Sequence, residues 1–314
     1  VSASAGGIDV ADQQRCQALV EQAATGLLDP QGRQLAAAVQ WWPLAGLGGR
    51  WPVAVLGAGP PLLMLHGFDS SFLEFRRLAP LLASHCQLFI PDLFGFGFTP
   101  RPLHGPFNPT GVLGHLETLV AAITEYAEPA SSRQGIGLIG ASMGGAVAVE
   151  LARRQGQRIN RLLLLAPAGL TGRPMPLPPL LDGLGVRFLG LPAVRRSLCR
   201  SAFAEPDRDV GPAELEIASL HLQAPRWAPA LAAFARSGGF AGCGDPLPPQ
   251  PLQVLWGNQD RILRAPQKRA ALALLGERIE DVEGCGHLPH IDQPQRVAER
   301  WLASMPTTLP CPHG

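Results

Sequence analysis

The sequence predicts an α/β fold, a mostly parallel central sheet flanked by helices, and three observations carry that prediction. Short apolar runs of strand length recur along the chain, each closed by Gly, Pro or Asp. Helical patterns alternate with them, and one long strandless stretch is bracketed by two proline clusters.

Taken in order, residues 1–28 carry a ragged amphipathic helical pattern and residues 33–58 read as an opening antiparallel pair. The runs Leu62–Leu65, Gln87–Ile90, Ile136–Ile139, Leu162–Leu165 and Leu252–Trp256 read as strands covered on both faces. Phe72–Ser84 and Gly145–Arg154 place apolar residues three and four apart, so helices are expected there. A strand, helix, strand order joins neighbouring strands in parallel. A last short strand is expected over Ile279–Val282.

No strand-like run occurs between Leu165 and Leu252. The brackets are Arg173-Pro-Met-Pro-Leu-Pro-Pro179 and Asp245-Pro-Leu-Pro-Pro-Gln-Pro251. Proline fixes φ and stops helices, so both clusters are expected to be stiff hinges. Between them, residues 192–203, 213–223 and 226–236 have helical periodicity and too much Leu, Ala and Phe to stay solvated. The expected organisation is a core over residues 1–169 and 246–314, with a helical cap over 170–245 laid across the carboxyl edge of the sheet.

At 46% apolar and 16% charged, the composition is that of a globular chain rather than a disordered one. The formal charge of +1 comes without a basic stripe, which excludes a nucleic-acid partner. The one compact basic group, Arg195, Arg196 and Arg200, reads as a solvated face, with a membrane-surface contact as the alternative. Six cysteines (Cys16, Cys86, Cys199, Cys243, Cys285, Cys311) are spread without a C-x-x-C pair, so a reducing compartment is expected. No apolar run reaches the roughly 18 residues of a membrane span, and the N-terminus lacks a signal-peptide pattern. A soluble or peripheral protein is expected. Because the chain opens on Val1 rather than Met, a segment removed from its front is expected to lie outside the sequence.

Gly140-Ala-Ser-Met-Gly144 follows the run Ile136–Ile139 and precedes an Ala- and Val-rich helical pattern. That is the setting of a G-x-S-x-G nucleophile turn, where small residues (Gly140, Gly144, Gly145) let the chain pass a sharp bend. The bland alternative is Ser142 as a helix N-cap. A serine hydroxyl needs a base to become a nucleophile. Cys285-Gly-His287-Leu-Pro-His290 offers two histidines, and Gly286 favours His287 over His290. A metal set of Cys285, His287 and His290 lacks a fourth ligand, so neither metal nor cofactor is expected. The carboxylate that orients the base is Asp260, in Trp256-Gly-Asn-Gln-Asp260 after a late strand; the preceding strand ends Leu165-Ala-Pro-Ala-Gly169 and offers none. An oxyanion needs two backbone N–H groups, assigned to Met143 and to Phe68 in His66-Gly-Phe68. His66 itself reads as a buried prop for that loop. With serine rather than aspartate at the turn, the chemistry expected is an acyl-enzyme followed by water.

Leu65-His-Gly-Phe-Asp-Ser-Ser71, Leu73-Glu-Phe-Arg76, Arg236-Ser-Gly-Gly-Phe240, Leu255-Trp-Gly257 and Cys285-Gly-His-Leu-Pro-His290 together resemble the chlorophyll dephytylases of chloroplasts and cyanobacteria. The resemblance runs from residue 60 to 300, departs at Ala141 and in the Pro-, Gly- and Arg-rich cap, and does not reach residues 1–50. It implies a capped α/β-hydrolase fold and hydrolysis of chlorophyll to chlorophyllide and phytol. It also implies a thylakoid-associated, peripheral location, and its triad and oxyanion positions fall on Ser142, Asp260, His287, Phe68 and Met143. Cap residues Phe188, Trp227 and Phe234 are expected to enclose the lipophilic ester. Since a phytyl chain starts in lipid, peripheral membrane contact through the cap is expected. A general carboxylesterase, a carbon–carbon bond hydrolase and a non-catalytic ligand-binding protein are the alternative readings.

Overall fold

The computed structural model describes residues 7–127, 135–178 and 181–305; residues 1–6, Pro179 and Cys311 fall outside them. Among the described residues one eight-stranded sheet holds β1 (Val39–Trp42), β2 (Trp51–Leu56), β3 (Pro61–Leu65), β4 (Gln87–Pro91), β5 (Ile136–Ala141), β6 (Ile159–Leu165), β7 (Leu252–Gly257) and β8 (Ile279–Val282). Their order is β1-β2-β4-β3-β5-β6-β7-β8. Only β2 runs against its neighbours; β4, β3, β5, β6, β7 and β8 are all parallel. This is the α/β-hydrolase architecture.

Side chains alternate along the central strands, so each strand feeds two apolar layers. Leu63, Leu65, Leu138, Leu164 and Val254 pack with the helices Pro109–Tyr126 and Met143–Gln155. Leu62, Met64, Ile139, Leu163 and Leu255 face Phe72, Phe75 and Trp301 on the other side. Burial on both faces explains why these runs are apolar at nearly every position, Gln87 and Gln253 being the half-buried exceptions. The indole of Trp301 occupies the space that a Cβ at residue 137 would need, so Gly137 is the residue that lets it pack on the sheet.

Three early segments differ from the sequence reading. The first helix is Val10–Gly26, started by Asp9, whose carboxylate accepts from the N–H of Ala11 at 2.8 Å. The antiparallel pair begins only at Val39, because Asp29 and Pro30 start a short helix, Pro30–Ala37: the Asp29 side chain accepts from Gln31 and Gly32. Phe72–Ser84 is not one helix but a 3₁₀ turn, Phe72–Phe75, and a single turn, Ala79–Leu82. Pro80 has no N–H to give the carbonyl of Arg76, and its ring crowds that carbonyl.

Between β6 and β7 lie the helices Leu181–Leu189, Pro192–Ala202, Pro206–Asp209, Pro212–Leu220 and Trp227–Arg236. Three of them open with proline at the first position, where a missing N–H costs nothing. Register then places the site. Leu65 pairs with Gly140, Ala141 with Leu165, Leu165 with Leu255 and Gly257 with Val282, so the loops after β3, β5, β7 and β8 leave one edge together. The winding also reverses at β3, between β4 and β5, which is where open α/β sheets form their crevice.

Candidate active site

Ser142 sits on the turn from β5 into the helix Met143–Gln155 with φ 51° and ψ −119°, a region that ordinary residues avoid. The strain is held by hydrogen bonds: Ser142 N–H donates to Leu165 O at 2.9 Å, and Ser142 O accepts from Gly145 and Ala168, each at 2.9 Å. A Cβ on Gly140 would collide with the backbone of Gly144, and one on Gly144 with the carbonyl of Leu65. The Ser142 side chain caps nothing in its helix. Its Oγ instead lies 2.9 Å from Nε2 of His287, whose Nδ1 lies 3.0 Å from Oδ2 of Asp260.

Asp260 is fully engaged. Oδ2 also accepts from Trp256 Nε1 at 3.0 Å, and Oδ1 from the amides of Ile262 at 2.8 Å and Leu263 at 3.1 Å. Burial works against its charge, but the His287 contact and these amides outweigh it and hold the carboxyl below the usual range. With Asp260 ionised, Nδ1 of His287 carries the proton and Nε2 is left to accept from Ser142. The loop bearing His287 is fastened by Asp292, whose Oδ2 accepts from Gly286 at 2.7 Å and from Ala204 at 3.0 Å, while His287 N–H donates to Ala202 O at 2.8 Å.

His290 is elsewhere. It is buried, packs tilted against Phe75 with ring centroids 5.0 Å apart, and places Nε2 3.0 Å from Glu74 Oε1. Burial opposes ionisation of Glu74, yet His290 and His66 bring its pKa down to about 2. The Glu74 carboxylate accepts from Gly67 N–H at 3.3 and 3.4 Å, so it braces the loop after β3. His66 braces the same loop from the other side: Nδ1–H donates to Gly67 O at 2.8 Å and Nε2 accepts from Leu93 N–H at 3.0 Å. Burial pushes the His66 pKa down to about 4, which keeps the ring neutral and this tautomer fixed. Because a peptide's C=O and N–H point oppositely, tying down Gly67 O turns the N–H of Phe68 away from His66. A Cβ on Gly67 would lie 3.3 Å from that of Ser142, so this loop passes close to the serine. Met143 is the first residue of its helix, and its N–H has no carbonyl one turn back.

Asp69, next to Phe68, was given no role by the sequence. It is buried at φ 50°, a conformation that Asp tolerates. Its carboxylate takes Arg195 Nη1 at 2.6 Å, Trp227 Nε1 at 2.8 Å and His221 Nε2 at 3.2 Å, one partner from each of three segments between β6 and β7. Two corrections follow. Arg195 is not a solvated residue, its side chain being 10% exposed. Trp227 spends its indole on this clasp and lines neither cavity described next.

Two apolar cavities flank Phe68. One, of about 310 Å³, is walled by Met143, Ala168, Met175, Leu177, Phe234 and Phe240. The other, of about 260 Å³, contains Ser142 and His287 with Leu189, Leu198, Ile262 and Leu288. The Phe68 ring packs against Phe96 and Phe234 at 5.8 and 6.1 Å. Phe188, expected at the substrate, is 59% exposed and lines neither cavity, because its face of the helix Leu181–Leu189 points outward. Among the described residues no group of three or more side chains converges as a metal site.

The model of the alpha/beta hydrolase family matches residues 62–300. This chain belongs to that family. It is 27% identical to the alpha/beta hydrolase domain-containing protein VTE7 of Arabidopsis thaliana, over 76% of this chain and 72% of the relative. It is also 27% identical to 2-hydroxymuconate semialdehyde hydrolase of Pseudomonas sp. strain CF600, over 85% of this chain and 91% of that one. Among solved structures, the 2-hydroxy-6-oxo-6-phenylhexa-2,4-dienoate hydrolase of Rhodococcus sp. strain RHA1 superposes with a TM-score of 0.67 at 21% identity, covering 84% of this chain and 97% of the other. Family and relatives together make this a hydrolase.

Proposed function

We propose that the chain is a serine ester hydrolase that releases the phytyl alcohol of chlorophyll through an acyl-enzyme. The observation that carries the reading is the unbroken run Ser142 Oγ, His287 and Asp260, whose serine and histidine line an apolar cavity that shares Phe68 with a second one. Nε2 of His287 takes the hydroxyl proton as Oγ attacks the ester carbon. The oxygen that gains charge is received by the N–H groups of Phe68 and Met143. His287 then gives its proton to the departing alcohol, and water repeats the sequence to free the acid. Asp260 stabilises the charged imidazole in both halves.

A neutral substrate fits better than an anionic one. Among the described residues of the Ser142 cavity, the one guanidinium, Arg195, is committed to Asp69. That weighs against a carbon–carbon bond hydrolase acting on an acid such as a hydroxymuconate, which would need an uncommitted cation. The apolar lining of the cavity beside His287 suits an alkyl chain.

The test is incubation with chlorophyll in detergent, followed by chromatography of the pigments. Chlorophyllide and phytol should accumulate with the native chain and not with Ser142→Ala. Turnover of p-nitrophenyl butyrate without any chlorophyllide would reduce the reading to a general carboxylesterase.

A further inference from the structure

The described residues include thirteen exposed large apolar side chains, and seven of them fall between Met175 and Leu198. Met175, Leu177, Leu181, Leu184, Phe188 and Leu191 are the outward ones, with Met175 at 81% exposure. Leu181, Leu184 and Phe188 are spaced to share one face of the helix Leu181–Leu189. Both parts of the patch are pinned to the helix Trp227–Arg236: Leu177 N–H donates to Ala235 O at 3.2 Å, and Asp182 pairs with Arg236. Met175 and Leu177 also wall the 310 Å³ cavity, so its mouth opens among these side chains.

The charge around the patch has one sign. Residues 170–200 contain five arginines and a single acid, Asp182, which is buried against Arg236. Arg173, Arg187 and Arg196 are exposed, and no described carboxylate pairs with them. No described helix is long and apolar enough to cross a membrane. An apolar helix face edged with arginine is the pattern that lies in a lipid interface. A symmetric contact between two copies would instead set these arginines against their own counterparts.

We infer that the face around Leu181–Leu191 docks on an anionic lipid surface and takes substrate from it through the mouth at Met175 and Leu177. The inference rests on the ester-hydrolase reading for what enters that mouth, not for the docking itself. The probe is co-sedimentation with vesicles of phosphatidylcholine alone, or with about a third phosphatidylglycerol, at low and high salt. The native chain should favour the anionic vesicles at least about tenfold and lose them in high salt. Leu184→Glu combined with Leu191→Glu should lower binding by about tenfold or more. Arg173→Gln, Arg187→Gln and Arg196→Gln should each lower it by about fivefold. Unfolding midpoints should be unchanged, since these side chains are on the surface.

Undiminished binding by the double variant, or no vesicle binding by the native chain, would overturn the inference. So would a native dimer in sedimentation equilibrium that the double variant turns into monomer, which would give the patch to a second copy. Ser142→Ala should sediment with vesicles as the native chain does. Intact docking without chlorophyll hydrolysis would therefore remove the proposed substrate alone, and hydrolysis in detergent without docking would remove this inference alone.

Discussion

Replacing Asp69 by Ala strips one acceptor from a buried donor, His221, and two part-buried ones, Arg195 and Trp227, at 3.2, 2.6 and 2.8 Å. The carboxylate is buried, but His221 and Arg195 keep its pKa below the ordinary value, so at working pH the clasp is ionic. Breaking a buried ion pair from one side costs about 3–5 kcal/mol, a large part of a domain's stability of about 5–15 kcal/mol. The same change frees the residue next to Phe68. Loss of one oxyanion donor costs about 10²–10³ in kcat, and a loosened rather than deleted N–H should cost about tenfold. Urea unfolding and steady-state kinetics on p-nitrophenyl butyrate, run where the variant is folded, measure the two effects separately. Asp69→Asn, which can still accept from Trp227 but cannot pair with Arg195, should fall between the native chain and Asp69→Ala. A destabilisation below about 1 kcal/mol with kcat unchanged would refute the clasp.

Asp260→Asn should lower kcat by about four orders of magnitude, read by steady-state kinetics, because the amide can no longer hold the His287 tautomer. His290→Ala should lower kcat only about tenfold, through release of Glu74 from Gly67, against about 10⁴ for His287→Ala; equal losses in a side-by-side assay would mean that His290 reaches the chemistry. His115 is buried with its ring 4.7 Å from that of Trp51, neither nitrogen has a hydrogen-bond partner, and burial pushes its pKa from 6.5 down to about 3. The native state therefore binds no proton here while the unfolded chain does below pH 6.5. Stability is fully present above pH 6.5 and is lost as pH falls toward 3, by about 2.5 kcal/mol at pH 4.5. Unfolding curves of His115→Phe should lack that part of the acid slope.

The central strands were legible because each carries a short, mostly apolar run closed by a turn residue, and the G-x-S-x-G stretch stood between two of them. Strand order was not legible: nothing in the runs of β3, β4 and β5 says that β3 lies between the other two. The Phe72–Ser84 segment misled because apolar spacing was read without the cost of Pro80 inside it. Phe188 and Trp227 looked equivalent as large apolar residues of the same stretch. Their facing depends on which helix each packs against, so one turns to solvent and the other to Asp69. Asp69 was invisible for a related reason, since its partners come from positions 126, 152 and 158 residues away. Ser142, Asp260 and His287 could be picked out because each stands in its own short motif just after a strand-like run, and the structure brings the three together.

Peptide mapping by mass spectrometry after reaction with a fluorophosphonate reports directly on whether Ser142 is an activated nucleophile. One adduct on the peptide bearing Ser142 is expected in the native chain, formed far more slowly in His287→Ala and absent in Ser142→Ala. An unlabelled Ser142 in folded native protein, or ester hydrolysis that survives Ser142→Ala, would contradict it.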